Sequence, residues 1–275
     1  MRIVSGGVTD VGRVRANNED CYRIVAPLNL FVLSDGMGGE AHGEVASALA
    51  VEVVVQHCLS SEEVGSSDGK PEWRENTKRL IDAVRRANHK IYESATLDPQ
   101  QKGMGATLTA AWINDSVLSI AHVGDSRAYL LRSGNLQQLT SDHSLVAEQV
   151  RRGILTPAEA DLSEMQSVLL RALGAQPDLE VEADEHTLFV RDVLLLCSDG
   201  LTRMVTEPEI AGILQAEPDP HKAAQELVEL ANERGGSDNI TVVVVRTSSE
   251  TKGLFSWLRR GAHKFLNGNG SAGGN

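Results

Sequence analysis

Two apolar runs in this chain end on the same three residues. Leu30-Phe31-Val32-Leu33 runs into Ser34-Asp35-Gly36, and Val193-Leu194-Leu195-Leu196-Cys197 runs into Ser198-Asp199-Gly200. Runs of this length and bulk predict buried strands, and the glycines around Met37 (Gly36, Gly38 and Gly39) predict a tight turn after the first. A strand that delivers an acid into a tight turn is suited to hold a metal ion. The recurrence therefore constrains the chain toward a fold with carboxylates at strand ends.

Length and composition allow one large domain. The chain has 275 residues, 41% of them hydrophobic, enough for a sizeable core. A formal charge of −12 argues against broad electrostatic binding of nucleic acid and is compatible with an acidic metal pocket. Cys21, Cys58 and Cys197 lie in apolar segments without the paired spacing of a zinc site or a disulfide framework, which predicts a reducing compartment. No signal-peptide pattern opens the sequence, and no apolar run reaches the roughly 20 residues a bilayer span needs. The expected location is the cytoplasm.

In chain order, Gly6-Gly7 predicts a turn, and a polar stretch from Gly12 to Asp20 leads into a short strand from Cys21 to Val25. Val45, Ala46, Leu49, Ala50, Val53, Val54 and Cys58 share one helical face, predicting a helix from His42 to Leu59. A second helix is expected from Pro71 to Leu97, buried through Leu80, Ile81, Val84, Ala87, Ile91 and Ala95, after an exposed loop over residues 60–70. Antiparallel hairpins are predicted over Gly105 to Ile113, Val117 to Val123 and Ala128 to Arg132, the last closed by Ser133-Gly134-Asn135. Residues 142–177 turn helical and polar, with a Thr156 cap before Pro157, as an inserted subdomain. Helices near Glu207 to Leu214 and His221 to Arg234, then a strand from Ile240 to Val245, complete a domain spanning 1–248. The segment 249–275 sets Leu254, Phe255, Trp257 and Leu258 among Arg259, Arg260, His263 and Lys264. It predicts a basic amphipathic helix with a disordered end, packing on the domain or meeting a membrane surface or partner.

Asp35, Asp199, Asp238 and Asp125, with Glu19 and Asp20, are oxygen donors without His or Cys clusters. That donor set selects hard divalent ions, Mg²⁺ or Mn²⁺, over zinc. Two such ions bridged by a carboxylate and a water would activate that water as a nucleophile for phosphoester hydrolysis. Arg15 then has a role, because a guanidinium fork grips two phosphate oxygens and neutralises charge in the transition state.

The chain resembles the metal-dependent Ser/Thr protein phosphatases of the PP2C type, in their bacterial form, over residues 4–246. The resemblance rests on seven segments in the family's order: Arg15 to Asp20, Ser34 to Gly39, Gly105 to Leu108, His122 to Arg127, Arg171 to Gly174, Cys197 to Leu201 and Gly236 to Thr241. It implies an α+β fold, an α-β-β-α sandwich of two stacked antiparallel sheets flanked by helices, with residues 142–177 as a flap beside the active site. It implies that Asp35 bridges two metals and the Gly36 carbonyl completes one. Asp199 and Asp238 bind the other ion, with Glu19 and Asp20 in or just behind the coordination shell. Asp125 with Asp199 holds a third, weaker metal, and Arg15 binds substrate phosphate. The implied substrates are phosphoserine and phosphothreonine proteins, with a Ser/Thr protein kinase as opposing partner. A monomer is expected.

One departure concerns the proton donor. Many eukaryotic members carry His directly after the Asp-Gly, where this chain has Met37, which cannot donate a proton. The leaving-group proton is then expected from metal-bound water or from a nearby side chain, for which His42 is the one candidate close in sequence. Two competing readings remain. Cys197 and Arg203 fit the Cys-x5-Arg pattern of cysteine phosphatases, although Asp199 would place a negative charge inside that anion-binding loop. A catalytically silent phosphoprotein-binding regulator would be marked by lost metal ligands, and all four principal acids are present.

Overall fold

The computed structural model describes residues 1–38, 42–60, 70 and 72–249. The first half contains β1 (Arg2–Asp10), β2 (Asp20–Val25), β3 (Leu30–Met37), α1 (His42–Leu59), α2 (Glu75–Leu97), β4 (Gly105–Ala106), β5 (Leu108–Asn114), β6 (Val117–Val123), β7 (Arg127–Arg132) and β8 (Asn135–Gln138). The second contains α3 (Leu145–Arg151), α4 (Pro157–Ala160), β9 (Glu182–Thr187), β10 (Val193–Cys197), α5 (Asp199–Thr202), α6 (Glu207–Ala216), α7 (Pro220–Glu233) and β11 (Ile240–Ser248). One sheet has the order β1-β11-β10-β7-β8; the other has the order β2-β3-β5-β6-β9, with β4 paired to β3. Every pairing is antiparallel.

Strand alternation sorts the apolar residues into three layers. On β3, Leu30 and Val32 pack with α1 and α2, whereas Phe31 and Leu33 face the opposite sheet. On β11, Val242 and Val244 pack toward α6 and α7, whereas Val243 and Val245 meet Phe31 and Leu33 between the sheets. Both faces of each central strand are buried, which is why these runs are continuously apolar. The α-β-β-α sandwich is the observed architecture.

The elements depart from the sequence expectations at identifiable points. Gly6-Gly7 is no turn: both residues lie inside β1, paired with Val244 and Val243. A Cβ on Gly6 would sit 2.4 Å from the His221 backbone nitrogen, so glycine there lets α7 pack closely on the strand. β3 also does not stop at Asp35 but runs on to Met37, held by Gly36↔Ala106 and Met37↔Gly105. The predicted strand from Gly105 to Ile113 is broken at Thr107 into β4 and β5. On α1 the buried face includes Val51 and His57 while Val45 is exposed, a rotation from the predicted stripe. Helix α2 begins at Glu75, and Ala95 is only partly buried. Pro71, most of the loop over 60–70 and the amphipathic tail from residue 250 lie outside the described residues. Among the described residues, no helix is long and apolar enough to cross a membrane.

Candidate metal centre

The alternation that builds the core also aims the acids. Leu33 faces the opposite sheet, so Asp35, two residues further along β3, points into the end of the same inter-sheet layer. Asp20 opens β2 directly opposite it, in the pair Asp20↔Asp35. Ser198 follows β10, and its Oγ donates to Asp20 Oδ2 at 2.8 Å, tying one sheet to the other. Asp199 begins α5, and Asp238 lies in the turn before β11. Asn239 secures that turn: its Oδ1 accepts from the Glu19 N–H at 2.8 Å, and its Nδ2 donates to the Val11 and Asn17 carbonyls, each at 2.9 Å. One amide side chain thus fastens the segment carrying Arg15 and Glu19 to the head of β11. Arg15 Nη2 reaches Asp238 Oδ2 at 2.9 Å.

Gly36 is required by close approach. Its N–H donates to the Glu19 carbonyl at 3.0 Å, and a Cβ there would fall 2.0 Å from the Gly43 carbonyl oxygen. The start of α1 therefore presses on the end of β3, and His42, its first residue, lies against Gly38. Asp125 is placed by its neighbours on both sides. The Gly124 carbonyl accepts from His143 N–H at 2.7 Å, and the Gly124 N–H donates to His143 Nδ1 at 3.1 Å. Arg127 forks onto Asp142 through Nε and Nη2, at 2.9 and 2.7 Å.

Five carboxylates feel one another. Burial holds the Asp35 carboxyl well above the usual range, and the fields of Asp20, Asp199, Asp125 and Asp238 add to that shift. Asp20 is pushed up to about 7 by burial, with hydrogen bonds from Thr241 and Ser198 opposing and Asp199 and Asp238 adding. Asp125 is likewise pushed up to about 7, by burial and then by Asp199 and Asp142, against the pull of Arg203 and Arg127. Burial also raises Asp199, with the largest opposing effect from Arg203.

This donor set fits hard divalent cations. Asp20 Oδ1 and Asp199 Oδ1 are buried and have no hydrogen-bond partner, a costly arrangement that a cation would relieve. Among the described residues no three His, Cys, Asp or Glu side chains are drawn onto one point as they stand. Arg203 instead pairs with Asp199 Oδ2 and lies 3.5 Å from Asp238 Oδ2.

Comparison with known proteins decides the family. Residues 13–232 match the family described as Protein phosphatase 2C. The chain belongs to that family. The serine/threonine phosphatase stp of Listeria welshimeri is 37% identical to this phosphatase over 248 residues, which are 89% of this chain and 96% of the relative. The Mycobacterium tuberculosis serine/threonine phosphatase PstP/Ppp superposes with a TM-score of 0.80 at 38% identity, covering 90% of this chain and 99% of that one. A PstP catalytic domain in complex with two manganese ions gives a TM-score of 0.77 at 36% identity, with the same coverage.

The cysteine reading fails on physical grounds. Cys197 is fully buried within β10, and burial pushes its thiol up to about 12, so no thiolate forms near neutral pH. Arg203, the other half of that pattern, is occupied by Asp199 and Asp238. Its contact with Asp199 was open to detection, because four residues separate them on a short helical turn. Asn239 and Ser198 lie inside two of the recognised segments, but their fastening roles were not readable there, since their partners lie far away in sequence.

Proposed function

We propose that this phosphatase hydrolyses phosphoserine and phosphothreonine in proteins with the help of Mn²⁺ or Mg²⁺. Asp35, Gly36, Asp199 and Asp238 would hold two ions, with Glu19 and Asp20 in or just behind the shell. The two partnerless buried oxygens, Asp20 Oδ1 and Asp199 Oδ1, inside a set of mutually repelling acids carry this reading. When bound, such ions would neutralise phosphate charge and lower the pKa of water so that a hydroxide-like nucleophile is available near neutral pH. Arg15 is half exposed, and its fork can turn from Asp238 to grip two phosphate oxygens. His42, against Gly38, is our candidate for protonating the leaving alkoxide, a task Met37 cannot perform.

The catalytic domain in this reading is 1–248, and residues 142–177 form its flap. Support comes from the flap's base, where Leu170 N–H donates to the His143 carbonyl at 2.7 Å beside the Asp125 loop. The segment exposes Ile154, Leu162 and Met165, apolar surface suited to selecting substrate sequence. Free Cys21, Cys58 and Cys197 favour a cytoplasmic setting, and the opposing partner would be a Ser/Thr kinase.

Phosphate release from phosphothreonine and phosphotyrosine peptides tests the reading. Release from the first should far exceed release from the second, require Mn²⁺ or Mg²⁺, vanish with chelator and survive Cys197→Ser. Equal rates on the two peptides would overturn the substrate class. Chelator-resistant turnover lost in Cys197→Ser would overturn the metal reading. Arg15→Ala should raise KM for the phosphopeptide by about tenfold or more, as expected for one lost charge-assisted contact. An unchanged KM and kcat would remove Arg15 from the site.

A further inference from the structure

Asp199 divides its two oxygens unequally. Oδ2 is engaged by the Arg203 guanidinium, while Oδ1 is buried and has no partner. Arg203 also approaches Asp238 Oδ2 to 3.5 Å, an oxygen shared with Arg15, while Asp238 Oδ1 accepts the Asn239 N–H at 2.9 Å. The guanidinium is three-quarters covered, with a side-chain exposure of 25%, and its field reaches Asp125. Arg203 therefore lies among Asp125, Asp199 and Asp238.

These contacts bear on the third ion, and the inference rests on the metal-site reading above. A third cation between Asp125 and Asp199 needs an oxygen from each, and Asp199 must also serve one of the core ions. In this chain Asp199 Oδ1 is left for the core pair, and Oδ2 is covered by a side chain that stays charged at every physiological pH. We propose that Arg203 is a built-in cation that replaces the third metal ion, so that this phosphatase binds two divalent ions and operates without a third. The fixed charge balances Asp125 and Asp199 and repels a further dication at short range. It also holds Asp199 by Oδ2, leaving the partnerless Oδ1 as the oxygen open to a core ion. Arg203 is in this sense a positioning residue whose own charge belongs to the centre.

Calorimetric titration of the whole chain with Mn²⁺ tests this without relying on turnover. Wild type should bind two ions, and Arg203→Met, which keeps an apolar stem and removes the charge, should bind a further ion at least about tenfold more tightly than wild type does. Arg203→Lys should restore the two-ion stoichiometry. The double variant Arg203→Met with Asp125→Asn should lose the added ion while keeping the two core ions. Three ions bound by wild type with the affinities of Arg203→Met would overturn the inference, as would an added ion that survives Asp125→Asn. Failure of the underlying metal reading has a different signature: wild type would bind no ions, and Asp35→Asn would change nothing.

Discussion

Asp35 is kept where an isolated carboxylate would be unstable. It lies half-buried at the end of the inter-sheet layer and faces Asp20 across the ladder, and desolvation together with four neighbouring acids raises its carboxyl well above the usual range. Such a residue lowers the stability of the ion-free fold in return for function. Asp35→Asn should therefore have opposite effects on the two properties. Turnover should fall by more than about a thousandfold, equivalent to ~4 kcal/mol of lost transition-state stabilisation. In chelator at pH 8, the melting temperature should rise, because the neutral amide removes a repelled charge. Thermal scans with EDTA alongside phosphopeptide turnover measure both, and near-normal turnover or a lower melting temperature would contradict the assignment. Asp35 and Asp199 were legible as candidates because each follows an apolar run. The supports were not: Asn239 acts by joining chain segments more than two hundred residues apart, a relation that no local pattern encodes.

At the scale of elements, apolar continuity identified β3, β6, β10 and β11 closely, since these strands are buried on both faces. The pattern failed for β9, whose sequence Glu182–Thr187 is polar and half buried at the edge of its sheet, and for the short edge strand β8. Edge strands need only one apolar face, and charges on the other are common there. Glycine was the second source of error, because Gly6-Gly7 has the composition of a turn while serving close packing of α7. Two substitutions separate these roles. Gly6→Ala should destabilise the fold by about 2 kcal/mol or more, since its Cβ meets backbone that cannot move aside. Gly212→Ala, inside α6 where an added Cβ meets nothing within 4 Å, should stabilise by roughly 0.5–1 kcal/mol. Denaturant midpoints at constant m-value report both, and equal shifts would refute the packing argument.

For the whole molecule, the acid cluster makes stability depend on pH and on divalent ions together. Asp20 and Asp125 titrate near 7 in the fold, and Asp35 is also raised, whereas in the unfolded chain such groups titrate near an ordinary ~4. Across that interval the native state holds more protons than the unfolded state, so these acids make stability fall as pH rises. His122 opposes them: burial lowers it to about 4, so the native state holds fewer protons there and stability rises with pH. That opposition ends above the unfolded histidine value of ~6.5, leaving the acids to set the slope. The ion-free protein should thus lose melting temperature between pH 6.5 and 8. On the proposed metal site divalent ions would bind the deprotonated acids, so the rise in melting temperature on adding Mn²⁺ should be larger at pH 8 than at pH 6.5. Calorimetric scans at both pH values, with EDTA and with saturating Mn²⁺, give the four melting temperatures required. A Mn²⁺-induced rise that shrinks toward pH 8 would mean that protons and divalent ions do not compete for the same carboxylates.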